Sequence, residues 1–145
     1  MMSDGIITRA EAIVKAEKTA VIALIDEDGF PKASTISNIK TDGIKHIWFT
    51  TSLTSGKAKC LRIGNKAGLC YCDGGNNISL MGTIEVLTEP GIKKELWEDG
   101  LGSFFPGGME DTNYCVLKFT TDKVVLWIDS IYKEFDNINK GKSIL

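Results

Sequence analysis

The stretch His46 to Arg62, HIWFTTSLTSGKAKCLR, gathers hydroxyls, a glycine and three cations within a few residues. Thr51, Thr54 and Ser55 supply hydroxyl donors, Gly56 lets the backbone approach a ligand closely, and Lys57 adds a compact cationic donor ahead of Lys59 and Arg62. This is chemistry suited to a phosphate. The segment reads as a short strand, His46 to Thr50, then a tight turn and a helix start, whose first backbone N–H groups lack intrahelical partners. The alternative for the same residues is an ordinary N-cap, in which the hydroxyl of Thr54 or Ser55 closes the first turn and Lys57, Lys59 and Arg62 are merely solvated.

No pairing of nucleophile and base stands out elsewhere. His46 is the only histidine, and at the start of a strand it reads as a partly exposed ring, so a triad is weakly supported. Asp26, Glu27 and Asp28 read as a solvated acidic turn. Of the four cysteines, Cys70 and Cys72 lie two apart on an expected strand with both thiols on one side. No C-x-x-C pair or second cluster completes a tetrahedral site, so no metal is expected and the thiols read as reduced, small hydrophobes. Chemistry, if present, is expected from a cofactor.

The elements that position these residues follow from patterning. Thr8-Arg-Ala-Glu11 has the capping-box pattern, and Ile6, Ile7, Ala10, Ile13 and Val14 mark one helix face running to about Glu17. Thr19 to Asp26 is nearly continuous in apolar residues and predicts a strand buried on both faces. The Asp-Gly step before Pro31 predicts a hairpin into Lys32 to Lys40, and Thr41-Asp-Gly43 turns that strand into His46 to Thr50. The helix from Ser55 is expected to end near Gly64-Asn65 with a left-handed cap. Ala67 to Cys72 and Ile78 to Leu87 predict two more strands, with Gly82 marking a bulge or close approach. Pro90 opens a helix over about Gly91 to Asp99, with Ile92, Leu96 and Trp97 inward. Gly100 to Gly108 reads as a loop packed by Phe104 and Phe105. Asn113 to Thr121 and Lys123 to Asp129 read as two final antiparallel strands, followed by a polar tail. Many short strands with few helices predict an antiparallel barrel or sandwich, mainly β with peripheral helices.

At 145 residues, 43% hydrophobic and 25% charged, the chain fits one domain over 1–145, with its core over about 6–129 and a tail over 130–145. No apolar run is long enough for a membrane span, and charges interrupt the N-terminal apolar residues, so a cytoplasmic location without a signal peptide is expected. A net charge of −2 with mixed signs argues against nucleic acid as a partner.

The order of helix, strand, D-x-D-G-x-P turn, meander, W-F-T-T and Ser55-Gly-Lys57 resembles the pyridoxamine 5′-phosphate oxidase-like superfamily, the FMN-binding split β-barrels, over about Ile6 to Asp129. The block from Trp97 through Phe104-Phe-Pro-Gly-Gly108 to Trp127 is most similar to its short general-stress-protein subgroup. The resemblance implies FMN as cofactor, its phosphate held by a Thr-x-x-x-Ser-x-Lys pattern falling on Thr51, Ser55 and Lys57. It also implies that Thr50 lies along the flavin, that Ser34, Thr35, Ile36 and Ser37 line the isoalloxazine ring, and that Asn77 supplies a polar contact opening the fifth strand. It implies a homodimer with its sites between subunits. Several positions depart from the pattern. Gly56-Lys57 stands where an Arg-Lys pair is common, Ser34 or Thr35 replaces a strand arginine, and Ser79 replaces the arginine that serves pyridoxal substrates. No C-terminal Arg-x-His pair exists, so a vitamin B6 oxidase is not expected.

The leading functional expectation is a flavin oxidoreductase passing electrons from NADH or NADPH to a small acceptor. The alternative is a non-catalytic flavin- or haem-binding module for sensing or stress, with His46 as the haem ligand; a deazaflavin is compatible with the same barrel. Trp127, Trp97, Phe105 and Tyr71 are either walls of the pocket or plain core.

Overall fold

The computed structural model describes residues 4–136 and 138. Its elements are α1 (Asp4–Glu17), β1 (Thr19–Ile25), β2 (Pro31–Asp42), β3 (His46–Ser52), α2 (Gly56–Leu61), β4 (Lys66–Asp73), β5 (Asn76–Leu87), α3 (Pro90–Glu95), β6 (Tyr114–Ile128) and β7 (Ile131–Phe135). Turn chemistry sets the strand reversals. Asp26 accepts backbone N–H bonds from Asp28 and Phe30, both at 2.9 Å, and Gly29 takes φ +84°, which together fold β1 back onto β2. The left-handed conformation Gly29 adopts is one that costs glycine little.

All pairings are antiparallel, in the order β3-β2-β1-β4-β5-β6, and β6 also pairs with β3, which closes a six-stranded barrel. β7 adds to the free end of β6. Alternate residues fill the interior: Ile22, Phe49, Leu69, Leu80, Leu117 and Phe119 are all buried. α1 presents Ile7, Ala10, Ile13 and Val14 to this core, and all four are buried. A second apolar cluster lies outside β3 and β6, where Leu96 and Phe105 pack on Tyr114 and Val116.

Several expectations are corrected. α1 starts at Asp4, so Thr8 lies inside the helix and its capping-box pattern is not the helix start. β1 is buried on one face only; Val21 and Ile25 stand 43% and 50% exposed on the outside of the barrel. α2 stops at Leu61 with Arg62 as a right-handed cap, so no left-handed cap forms at Gly64-Asn65. α3 stops at Glu95, and 3₁₀ turns over Asp99–Ser103 and Gly108–Glu110 shape the following loop.

The largest correction concerns β6. Thr120 to Lys123 does not reverse the chain: Met81 pairs with Lys123 and Gly82 with Thr121, so Asp122 is the extra residue of a bulge in one continuous strand. Gly82, read as a bulge or close approach, sits opposite it. The residues after Asp129 read from sequence as a polar tail. Instead Ile131–Phe135 pairs with Val124–Ile128, and Ile138 is buried with its N–H donating to the Asp122 carbonyl at 3.1 Å. The rest of the expected tail, 137 and 139–145, lies outside the described residues.

Candidate functional site: a two-lysine cavity beside α2

β3 leads its hydroxyls straight into α2. Ser55 is the N-cap, with φ −70° and ψ 159°, and its Oγ accepts the Ala58 N–H at 3.1 Å. Thr51 Oγ1 donates to the same oxygen, also at 3.1 Å. With both of its acceptor positions used, Ser55 keeps its own O–H proton to give. The ordinary-cap reading and the donor reading therefore hold together at one residue.

The neighbouring cations separate into two kinds. Lys59 pairs with Glu27 at 3.3 Å, and Arg62 Nη2 donates to the Leu53 carbonyl at 2.7 Å, so both are committed to the fold. Thr54 is likewise committed: its Oγ1 lies 2.8 Å from Ser52 Oγ and its N–H reaches Asn113 Oδ1 at 3.2 Å. Lys57 and Lys32 form none of the ion pairs among the described residues. Both line a cavity of about 230 Å³ together with Leu24, Ser34, Gly56 and Cys60.

Lys32 was missed in the sequence, where only Ser34 or Thr35 was weighed for the missing strand cation. The signal was present: Lys32 lies two residues before Ser34, hence on the same face of β2. Gly56 makes room for it. A Cβ at Gly56 would sit 3.0 Å from Lys32 Nζ, tighter than ordinary packing, so the absence of a side chain lets the ammonium reach the turn. α2 has only 6 residues, and the positive potential here comes from the two ammoniums more than from a helix dipole.

The remaining expected site residues fall into three places. Ile36 is 7% exposed and belongs to the core, so its side chain lines no ligand site. Thr35 and Ser37 face outward on β2, where Thr35 pairs with Val21 and Ser37 with Thr19. Asn77 is half-buried on β5, and β1 and β4 separate it from β2. Three strand spacings thus lie between Asn77 and Ser37 around the barrel. Thr50 lines another cavity of about 390 Å³, with Thr51, Ser52, Leu101, Phe104, Phe105 and Asn113.

The aromatic candidates divide similarly. Tyr71 is core at 0% exposure, Phe105 is buried in the second cluster and also lines the Thr50 cavity, and Trp97 packs edge-on to Tyr114 in that cluster. Trp127 is 46% exposed on the outer face. Phe104, not singled out as a wall, is 74% exposed at the mouth of the Thr50 cavity.

His46 lines none of these cavities. Its Nδ1 lies 3.3 Å from Thr120 Oγ1, and burial, then the Lys118 charge, lower its pKa below the ordinary 6.5. A lowered folded pKa means the unfolded chain binds the proton more readily, so the stability involved is present above the ordinary value and is lost as pH falls through the folded one. His46→Gln is expected to flatten the decline in thermal stability between about pH 8 and about pH 5, read by unfolding midpoints across that range. An unchanged profile would assign the decline to other groups.

Comparison with known proteins agrees with this architecture. Residues 7–142 match the family described as pyridoxamine 5′-phosphate oxidase like. A crystal structure of a protein related to general stress protein 26, of the pyridoxinephosphate oxidase family, from Clostridium acetobutylicum superposes with a TM-score of 0.84 at 26% identity, covering 96% of this chain and 99% of that one. A pyridoxamine 5′-phosphate oxidase-related, FMN-binding protein from Nostoc punctiforme gives 0.68 at 14% identity over 94% and 96% of the two chains. A haem-binding protein from Mycobacterium smegmatis gives 0.66 at 13% identity, over 90% of this chain and 57% of that one. Comparison with curated proteins finds no match. With its closed barrel, its strand order and a match spanning nearly its whole length, the chain belongs to the pyridoxamine 5′-phosphate oxidase-like family.

Proposed function

We propose that the protein is an FMN-binding oxidoreductase that takes electrons from NADH or NADPH and passes them to a small acceptor. The observation that carries the reading is the convergence of Lys32 and Lys57, both outside any ion pair among the described residues, on one cavity that Ser34 also lines. Two ammoniums and the Ser34 hydroxyl suit the charge and acceptor-rich surface of a phosphate monoester. When bound, the flavin would supply the hydride acceptance for which the chain has no side chain of its own.

In this reading Lys32 and Lys57 neutralise the phosphate, while Ser34 and Ser55 donate to it. Thr35 and Ser37 offer hydroxyls towards the ring from the outer face of β2. Thr50 and the exposed Phe104 wall the neighbouring cavity. Ser79 stands where the family's pyridoxal-serving arginine would be, so the substrate differs from a vitamin B6 aldehyde or amine.

The site is proposed to be shared between two copies of the chain. Val21 and Ile25 leave apolar surface on the outer face of β1, and Asn77 lies three strands away from Ser37. A second copy covering that face would remove the apolar surface from water and supply its own Asn77. The four free cysteines suit a reducing, cytoplasmic setting, and no helix among the described residues is long and apolar enough to cross a membrane.

The test is an absorption spectrum of the purified protein with FMN, followed by anaerobic NADH and then NADPH. The flavin bands are expected to appear and then bleach with one of the two donors. Bound flavin that neither donor bleaches would reduce the function to binding, and FMN that fails to bind would remove the cofactor. A Soret band that His46→Ala abolishes would replace flavin by haem.

A further inference from the structure

On the outer face of β4, Cys72 is exposed and Cys70 half-buried. Asn77, paired with Cys72 across β5, donates from Nδ2 to both sulfurs, at 3.2 Å to Cys70 and 3.6 Å to Cys72. A single amide reaching two sulfurs holds both side chains turned towards one point. Burial pushes the Cys70 thiol up, the Asn77 amide pulls it part of the way back, and the adjoining Cys72 thiol raises it again. Both sulfurs reach solvent on the outer face of one subunit, and the Cys70 thiol is held in its protonated form.

Strand geometry decides what such a pair can bind. Residues two apart on a strand have Cα atoms about 6.6 Å apart with parallel side-chain stems. A disulfide needs Cβ atoms only about 3.5–4.5 Å apart, so a direct S–S bond would force β4 to buckle. A bridge of one further atom spans the gap without moving the backbone. Among the described residues no three His, Cys, Asp or Glu side chains converge as metal ligands, so a tetrahedral ion lacks its donor set. A centre content with two thiolates and a substituent of its own fits.

We propose that Cys70 and Cys72, oriented by Asn77, form a chelating site for a monosubstituted trivalent arsenical. In binding, two As–S bonds form and the two As–O bonds of the hydrated arsenical break. Each departing hydroxyl takes one thiol proton and leaves as water, and no atom changes oxidation state. The site is built on β4 and β5 and shares Asn77 with the flavin site proposed above, so the titration uses FMN-free protein.

The experiment titrates the reduced full-length protein with phenylarsine oxide and follows intact mass and free thiols. One arsenical per chain and the loss of two thiols are expected. Cys72→Ser and Cys70→Ser should each weaken binding about 100-fold or more, because the second attachment is no longer intramolecular. Cys115→Ser, at a buried position, should leave it unchanged. Asn77→Ala should weaken binding several-fold while both thiols still titrate, which separates orientation from ligation. Exposed Cys72 can be changed without disturbing the core, so Cys72→Ser that binds as tightly as the parent would overturn the site. Binding by the parent that consumes only one thiol would do the same.

Discussion

Lys57→Ala is expected to weaken FMN binding by about 1.5–3 kcal/mol, roughly 10- to 100-fold, the scale of a lost charge-assisted hydrogen bond. Lys32→Ala should fall in the same range. The two ammoniums line one cavity, so their effects should be coupled, and the double variant should depart from the sum of the singles. Lys59→Ala serves as the control: its partner is Glu27 at the surface, and its loss should leave flavin affinity nearly unchanged. The measurement is a flavin fluorescence titration at fixed salt. Lys57→Ala and Lys32→Ala with parental affinity would move the phosphate elsewhere. Equal losses in all three variants would reduce the effect to overall charge.

Gly82→Ala is expected to be the most damaging single methyl group in the barrel. A Cβ at this position would lie 2.0 Å from the Thr120 carbonyl oxygen and 3.0 Å from the Phe119 ring. Backbone cannot swing aside as a lysine tip can, so β5 and β6 would have to part at the bulge. A cost of about 3 kcal/mol, a fall of roughly 10 °C in unfolding midpoint, is the expected scale for overpacking against the main chain. Gly68→Ala is the matched comparison, since its nearest neighbours are 3.8 and 4.0 Å away. Thermal melts of the two variants, with the parent alongside, decide the matter. If both variants melted alike, the bulge would be softer than its geometry implies.

What the sequence made legible was mostly local. The Asp26 and Gly43 turns, the β-branched runs and the Gly82 anomaly each depend on a few adjacent residues, and all are realised. The errors came where pairing partners decide. Thr121-Asp122 has the composition of a turn, yet Gly82 on the opposite strand allows that residue to be bulged out and the chain to run on. Ile131–Phe135 lies in the stretch read as a polar tail and becomes a strand because the end of β6 offers it an unpaired edge. β1 reads as doubly buried because Val21 and Ile25 are apolar, and nothing local says that they face outward. At the candidate site, Lys57 was singled out from the residue types that follow β3, and it lines the two-lysine cavity. The spacing to Ser34 put Lys32 on the same face of β2, but its reach to Gly56 crosses from β2 to α2, and that contact no local pattern records.

The closing of the barrel has a consequence for synthesis. His46 and Thr120, joined across β3 and β6, are 74 residues apart. As the chain leaves the ribosome, β1 to β3 can form one meander and β4 with β5 a hairpin, and β4 joins β1, leaving an open sheet with β3 and β5 as its two bare edges. Tyr114–Ile128 then pairs with both edges, since it is registered with β3 along its first half and with β5 along nearly its whole length. Until that one segment emerges, the nascent protein carries two unpaired strand edges and an uncovered apolar interior, the state in which chains recruit one another. Chaperone demand should therefore end abruptly when β6 clears the exit tunnel.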